Sequence, residues 1–252
     1  MTSEQSTEMT SAELHAAAEE ALIEAGFRTG EFDDAESLAA AAVERAAADG
    51  DRAGAAAASV RLGYVLHYRN ITTLIGGGRP DAAIVARETG LFADALAAYE
   101  ALGDEPGTAR ADFALGLVEQ VLHQDWDAAM AHYRRAESLI PALEAENDLY
   151  TRSEIHRHLG FYHLIADKQP ATAVGHLQIS LDLQEEQGEP RRVPSGLVAL
   201  GWAERENGNP RRAVLLLRRA VLIAREQGLL PWRIADAERE LAEAEAALAD
   251  EG

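Results

Sequence analysis

Apolar residues recur along this chain at intervals of three and four, and most of those positions are filled by alanine or leucine. That period is the signature of amphipathic α-helix. Alanine is the best helix former and β-branched runs are rare, so helix is favoured over sheet throughout. The helical pattern is punctuated by the turn signals "AADGD", "LGDEPG", "EAEND" and "EQGEP". One stretch, "HYRNITTLIGGGRPDAAIVARETG", interrupts it differently, with three consecutive glycines and a proline. The pattern predicts an all-α chain.

Within the helices a second regularity appears. Four segments align on a Leu-Gly pair, "RLGYVLHY", "ALGLVEQVL", "HLGFYHLIA" and "ALGWAEREN", with glycines at Gly63, Gly116, Gly160 and Gly201. Three of them are followed by a turn and then a small residue early in a second helix, at Ala129, Ala173 and Ala213. Each unit therefore reads as helix, short turn, helix, with glycine and alanine allowing the two backbones to approach closely. A weaker first unit fits "ALIEAGFRTGEFDDAESLAAAAVERA", with Ile23 in the place of the glycine, and "PWRIADAERELAEAEAALAD" reads as a lone final helix. Gly160 and Gly201 are 41 residues apart and Gly116 and Gly160 are 44, but Gly63 and Gly116 are 53 apart. The second unit thus carries about ten extra residues, placed at 70–81 between its two helices. Gly76, Gly77 and Gly78 allow positive φ there, and Pro80 with Asp81 suits the first turn of the following helix.

These units resemble tetratricopeptide repeats, in the long-period form of bacterial regulatory proteins. The likeness covers residues 12–247. It implies an α-solenoid of about five such helix-turn-helix repeats plus a C-terminal capping helix, which covers the last apolar face. Residues 1–11 are expected to be a disordered tail and 248–252 a second tail. By the same resemblance the first helices line a concave groove, and the residue after each marker glycine points into it: Tyr64, Leu117, Phe161 and Trp202. One turn to either side stand Phe113, Arg157, His67, Tyr68, Gln120 and Arg205. This is an apolar, aromatic row bordered by hydrogen-bonding groups, which suits a ligand or peptide; the same side chains would equally serve to fill the space between neighbouring first helices. The insertion is expected to be a flap beside that groove, with Ile71, Leu74 and Ile75 as its apolar underside and Gly76, Gly77 and Gly78 making it costly to order, so that it is mobile until something binds.

Two classes of function follow. The first is a non-enzymatic module that recognises a peptide, a helix or a partner protein in the groove, in regulation or assembly. The alternative is a small-molecule sensor or unusual enzyme that closes the flap over an organic ligand. Chemistry motifs are scarce. There is no phosphate-loop or dinucleotide glycine pattern, no Gly-x-Ser-x-Gly and no cysteine, so no cofactor is expected. His156, His158 and His163 share one helix without the spacing of a two-histidine zinc pair, so no metal is expected and a hydrogen-bonded, packed role is read for them. The net charge of −20 disfavours nucleic acid and anionic membrane as partners. With no apolar run of membrane-spanning length and no leader pattern at the N-terminus, a cytoplasmic location is expected. Charge is uneven, however. Arg191, Arg192, Arg205, Arg211, Arg212, Arg218, Arg219 and Arg225 face only Glu204 and Glu206 in the same segment, a local balance of about +6. Those arginines form either a solvated, ion-paired helix face or a site for an acidic partner.

Overall fold

The computed structural model describes residues 9–250. Among them there is no strand, and the fold is all-α and solenoid-like, with consecutive long helices packed on one another within each unit. The chain divides at Ala142 and Leu143 into two compact units. The first holds three hairpins: α1 (Ser11–Glu24) with α2 (Asp33–Ala48), α3 (Arg52–Ile75) with α4 (Ala82–Leu102), and α5 (Glu105–Leu117) with α6 (Trp126–Ser138). A short helix, α7 (Ile140–Ala145), spans the division. The second unit holds α8 (Leu149–Phe161) with α9 (Pro170–Gln187), α10 (Val193–Glu206) with α11 (Pro210–Glu226), and the final helix α12 (Pro231–Ala249). Five hairpins and a last helix match the count expected from the sequence.

Helix starts are chemically explicit. Aspartates at 51, 81, 104, 125 and 148 cap α3, α4, α5, α6 and α8, each accepting a hydrogen bond from a backbone N–H of the first turn. Helices α9, α11 and α12 instead begin on Pro170, Pro210 and Pro231, where the missing N–H costs nothing. Thr10 and Glu13 form a reciprocal capping box, so Thr10 and Ser11 belong to the start of α1 and not to a tail. Of that expected tail, residues 1–8 lie outside the described residues, as do residues 251 and 252. At the C-terminal end α12 continues through Ala249, past the expected limit at 247.

The marker glycines act as the sequence implied. A Cβ at Gly63 would collide with the Phe92 ring and one at Gly116 with the Tyr133 ring. At Gly160 and Gly201 it would stand 2.6 Å from Leu177 and Leu217. In each case the obstructing side chain belongs to the second helix of the same hairpin. Ala129, Ala173 and Ala213, four residues before Tyr133, Leu177 and Leu217, are fully buried. The hairpins therefore share one register of glycine against small residue and glycine against large residue.

The long hairpin departs from the expectation in its boundaries. The insertion does not leave α3 after Asn70. Helix α3 runs on for 24 residues to Ile75, about 36 Å at the usual rise. The first helices α1, α5 and α8 are 13 or 14 residues long and each then widens into a π turn of five or six residues. Within this extension the threonine hydroxyls are satisfied by back-bonding: Thr72 Oγ1 donates to the Tyr68 carbonyl at 2.9 Å and Thr73 Oγ1 to the Arg69 carbonyl at 3.0 Å. The connection itself is only Gly76 to Asp81, with Gly77 in the left-handed region at φ 75°. Pro80 precedes α4, and Asp81 is its cap.

Candidate binding site beside the long hairpin

The shared register identifies one residue that does not fit. Four positions before Phe92, where the other hairpins have Ala129, Ala173 and Ala213, stands Glu88, fully buried. A lone carboxylate at such a place would be strongly unfavourable. Here it is answered from the facing helix: His67 Nδ1 lies 2.6 Å from Oε1, and Asn70 Nδ2 donates to Oε2 at 2.7 Å. Both partners are buried. Asn70 falls seven residues after Gly63, at the place where the other hairpins are already turning. The buried triad thus fastens α3 to α4 beyond the usual turn, and the hairpin projects past its neighbours.

A projecting hairpin leaves a ledge on each side. On one side, the turn after α1 meets the outer end of α3 in a cleft of about 760 Å3, lined by Glu24, Glu31, Asp33, Asp34, Arg69 and Thr72 among others. Its arginine and two of its carboxylates are already engaged. Arg69 pairs with Asp33 at 2.7 Å and Glu36 at 3.0 Å, and Glu24 pairs with Arg28 at 3.3 Å. On the other side, the end of the π turn after α5 meets the outer turns of α4 in a cleft of about 870 Å3. Leu74, Pro80, Val85, Val121 and Leu122 supply its apolar walls, and Ala82, Ala86, Gly90 and Ala93 form a shallow floor on one face of α4. Arg79 stands exposed at its rim, without an ion pair to any other described residue, and Asp81 is occupied in capping α4. His123, also at the rim, is held by Glu119 at 2.9 Å.

The residues read from the sequence fall as follows. Tyr64 is buried edge-on against Phe92, ring centroids 5.6 Å apart, and Phe113 is buried against Tyr133 at 5.7 Å. Leu117 and His67 are buried as well, and Gln120 accepts the Tyr133 hydroxyl at 2.6 Å. Tyr68 is half-buried over Gly26 and Phe27. In the first unit these side chains fill space between helices. In the second unit Phe161 and Trp202 are half-buried neighbours 6.3 Å apart, with the Arg157 guanidinium 5.4 Å above Phe161. Arg157 is held by Glu154 at 2.7 Å, and Arg205 by Glu240 at 2.9 Å and Glu243 at 2.7 Å. Of the expected flap, Ile71 is half-buried, Leu74 and Ile75 are exposed on the last turn of α3, and Gly76, Gly77 and Gly78 are exposed in the connection. Only Leu74 of this set reaches the apolar cleft. The remainder of that cleft was not anticipated. The available signal was the surplus length of the hairpin together with the small residues of α4 at intervals of three and four.

His156 and His163 do pack between helices, but their partners include a third histidine. His156 Nδ1 lies 3.1 Å from Nδ1 of His176, and the His163 ring stacks on His176 with centroids 5.4 Å apart. Burial, with His176 and Arg152 nearby, lowers the His156 pKa to about 4. Among the described residues no group of three or more histidines, aspartates or glutamates is placed to hold a metal ion. None of the described helices is long and apolar enough to cross a membrane.

Comparison with known proteins adds a structural likeness. No family model matches this chain, and no curated protein matches it. Among solved structures it is similar to BtubC (BKLC) from P. vanneervenii. The two share 16% sequence identity over 88% of this chain and 92% of that one, with a TM-score of 0.49.

Proposed function

We propose that this chain is a non-enzymatic binding module of the tetratricopeptide type, which takes a segment of a partner protein in the apolar cleft beside the α3–α4 hairpin and serves regulation or assembly. The observation that carries the reading is the contrast in uncommitted chemistry. The 870 Å3 cleft combines apolar walls, a floor of small residues and an exposed arginine without a described ion partner. A partner segment with an apolar side chain or two and a nearby carboxylate would satisfy all three features. The small floor residues would let its backbone approach α4. The aromatic residues of the first helices contribute to this reading as core, and in the second unit Phe161 and Trp202 remain half-buried.

The test pairs a pull-down from lysate with a thermal-shift screen against metabolites, each run on the parent and on Leu74→Asp and Ala86→Asp variants. Both positions are exposed, so the variants should fold. A captured protein that is lost from both variants supports the reading. A metabolite that raises the melting temperature of the parent but not of the variants would replace it with a small-molecule site, for which the cleft volume is suitable. Capture that is indifferent to both variants would move the binding site elsewhere.

A further inference from the structure

The arginine run noted in the sequence acquires a companion in the structure. Helix α11 buries Val214, Leu217, Val221 and Ala224, which leaves Leu215 and Leu222 on the opposite face at 69% and 57% exposed. These two are seven residues apart, so they lie almost one above the other along the helix. They are the two most exposed large apolar side chains among the described residues. Arg211, Arg218 and Arg225 run along one side of this ridge and Arg212 and Arg219 along the other, again at seven-residue intervals. On the adjoining helix α9, Ile179 is 45% exposed, next to the Gln178 that accepts from Arg212.

The arginines have internal partners, but most are weakly held. Arg218 pairs with Glu245, Arg225 with Glu238 and Arg219 with Glu185, and every one of these side chains is substantially exposed. Arg212 pairs with the buried Glu204. Arg211, which is exposed, makes no ion pair with any described residue. Solvent-exposed pairs contribute little net stability, so their arginines can exchange one carboxylate for another at small cost. A hydrophobic ridge between two rows of cations is the complement of an amphipathic helix whose apolar stripe is bordered by glutamates or aspartates.

We infer that the outer face of α11 is a second docking surface, and that its occupant is an acidic amphipathic helix of a partner protein. The charge of the surface selects that occupant. A second copy presenting its own α11 would oppose arginine with arginine. The acidic helix α12 of a second copy already buries Ala237 and Ala244 within its own unit. The surface is separate from the cleft beside α3–α4, which lies wholly in the first unit, and the inference does not rest on the function proposed for that cleft.

The experiment uses the full chain and a synthetic three-heptad peptide with leucine at its apolar positions and glutamate beside them, followed by fluorescence anisotropy. A lysine-for-glutamate counterpart and anionic phosphatidylglycerol vesicles serve as competing probes. The expected result is binding of the glutamate peptide that weakens as salt is raised and falls about tenfold or more in a Leu215→Ser/Leu222→Ser variant. Arg211→Glu/Arg218→Glu, which leaves the leucines in place, should lose it as well, while Leu74→Asp should bind like the parent. Equal binding of the lysine peptide, undiminished binding by either double variant, or capture of the chain by the vesicles in preference to the peptide would overturn the inference. So would a dimer of the parent that the leucine variant dissociates without any peptide binding.

Discussion

The α3–α4 and α8–α9 hairpins are built on the same register, and one difference between them lies at a buried position of the second helix. In α8–α9 a small Ala173 faces the helix that carries Gly160, and the hairpin turns soon afterwards. In α3–α4 the equivalent place holds Glu88, answered by His67 and Asn70, and the helices continue for about another turn and a half. The comparison shows how a repeat acquires extra length. A buried carboxylate needs donors, the donors come from further along the facing helix, and satisfying it requires that helix to remain helical where its relatives in the chain turn. The ledges on either side are a consequence of the extra length.

The sharpest way to break this comparison is to exchange the residues at the shared position. Ala173→Glu places a carboxylate opposite a helix with no donors arranged for it, and an uncompensated buried charge of this kind costs about 3–5 kcal/mol. The second unit should lose protection in hydrogen exchange through α8 and α9. If the variant melts like the parent, the two positions are not equivalent. Glu88→Ala is the reciprocal change. It leaves the buried His67 and Asn70 without an acceptor, at about 1–3 kcal/mol for each stranded group, and opens a cavity. Loss of protection should be greatest at the outer end of α3, residues 70–75. Glu88→Gln should retain part of the lost stability, because an amide can still accept one hydrogen bond.

Sequence reading reached the register but not this exception to it. A missing side chain repeated at Gly63, Gly116, Gly160 and Gly201 leaves a periodic trace, because close approach of two helices demands it every time. A glutamate on an acidic helical chain leaves none. Glu88 becomes visible only by counting four residues back from Phe92, and that requires knowing that Phe92 is the ring lying against Gly63. The limits of the insertion were obscured for a local reason. The Ile-Thr-Thr run after Asn70 has poor helix propensity, while the Asn70–Glu88 bond that holds its start is tertiary. The aromatic row was legible as a pattern, but pattern alone does not distinguish a side chain that faces a groove from one that fills the gap between two helices. Tyr64 and Phe113 fill it.

The two hairpins should also differ in their response to acid. His156 in α8 is held neutral by burial, with a pKa near 4 in the folded state against an ordinary 6.5. Its unfolded form takes up a proton more readily than its folded form. Stability from this group is therefore complete above pH 6.5 and is lost as pH falls from about 6.5 to about 4. Hydrogen exchange should show α8 and α9 opening progressively over that interval. His156→Asn should flatten the dependence; if the slope is unchanged, another group is responsible.

The smallest effects concern two exposed glycines, and they should have opposite signs. Gly77 lies in the connection of the long hairpin at φ 75°, a conformation that a residue with a Cβ adopts at a cost. Gly77→Ala has free space around it, so strain in the backbone is the only penalty, and it should destabilise the first unit by about 1 kcal/mol. Gly175 lies inside α9 with helical geometry, and it too has open space where a Cβ would stand. Gly175→Ala removes conformational freedom from the unfolded chain without any clash, and it should stabilise the second unit by about 0.5–1 kcal/mol. Both changes add the same methyl group to an exposed site. A chemical denaturation series on the two variants therefore isolates the backbone contribution: shifts of the same sign would mean that the turn from α3 to α4 is not held at positive φ in solution.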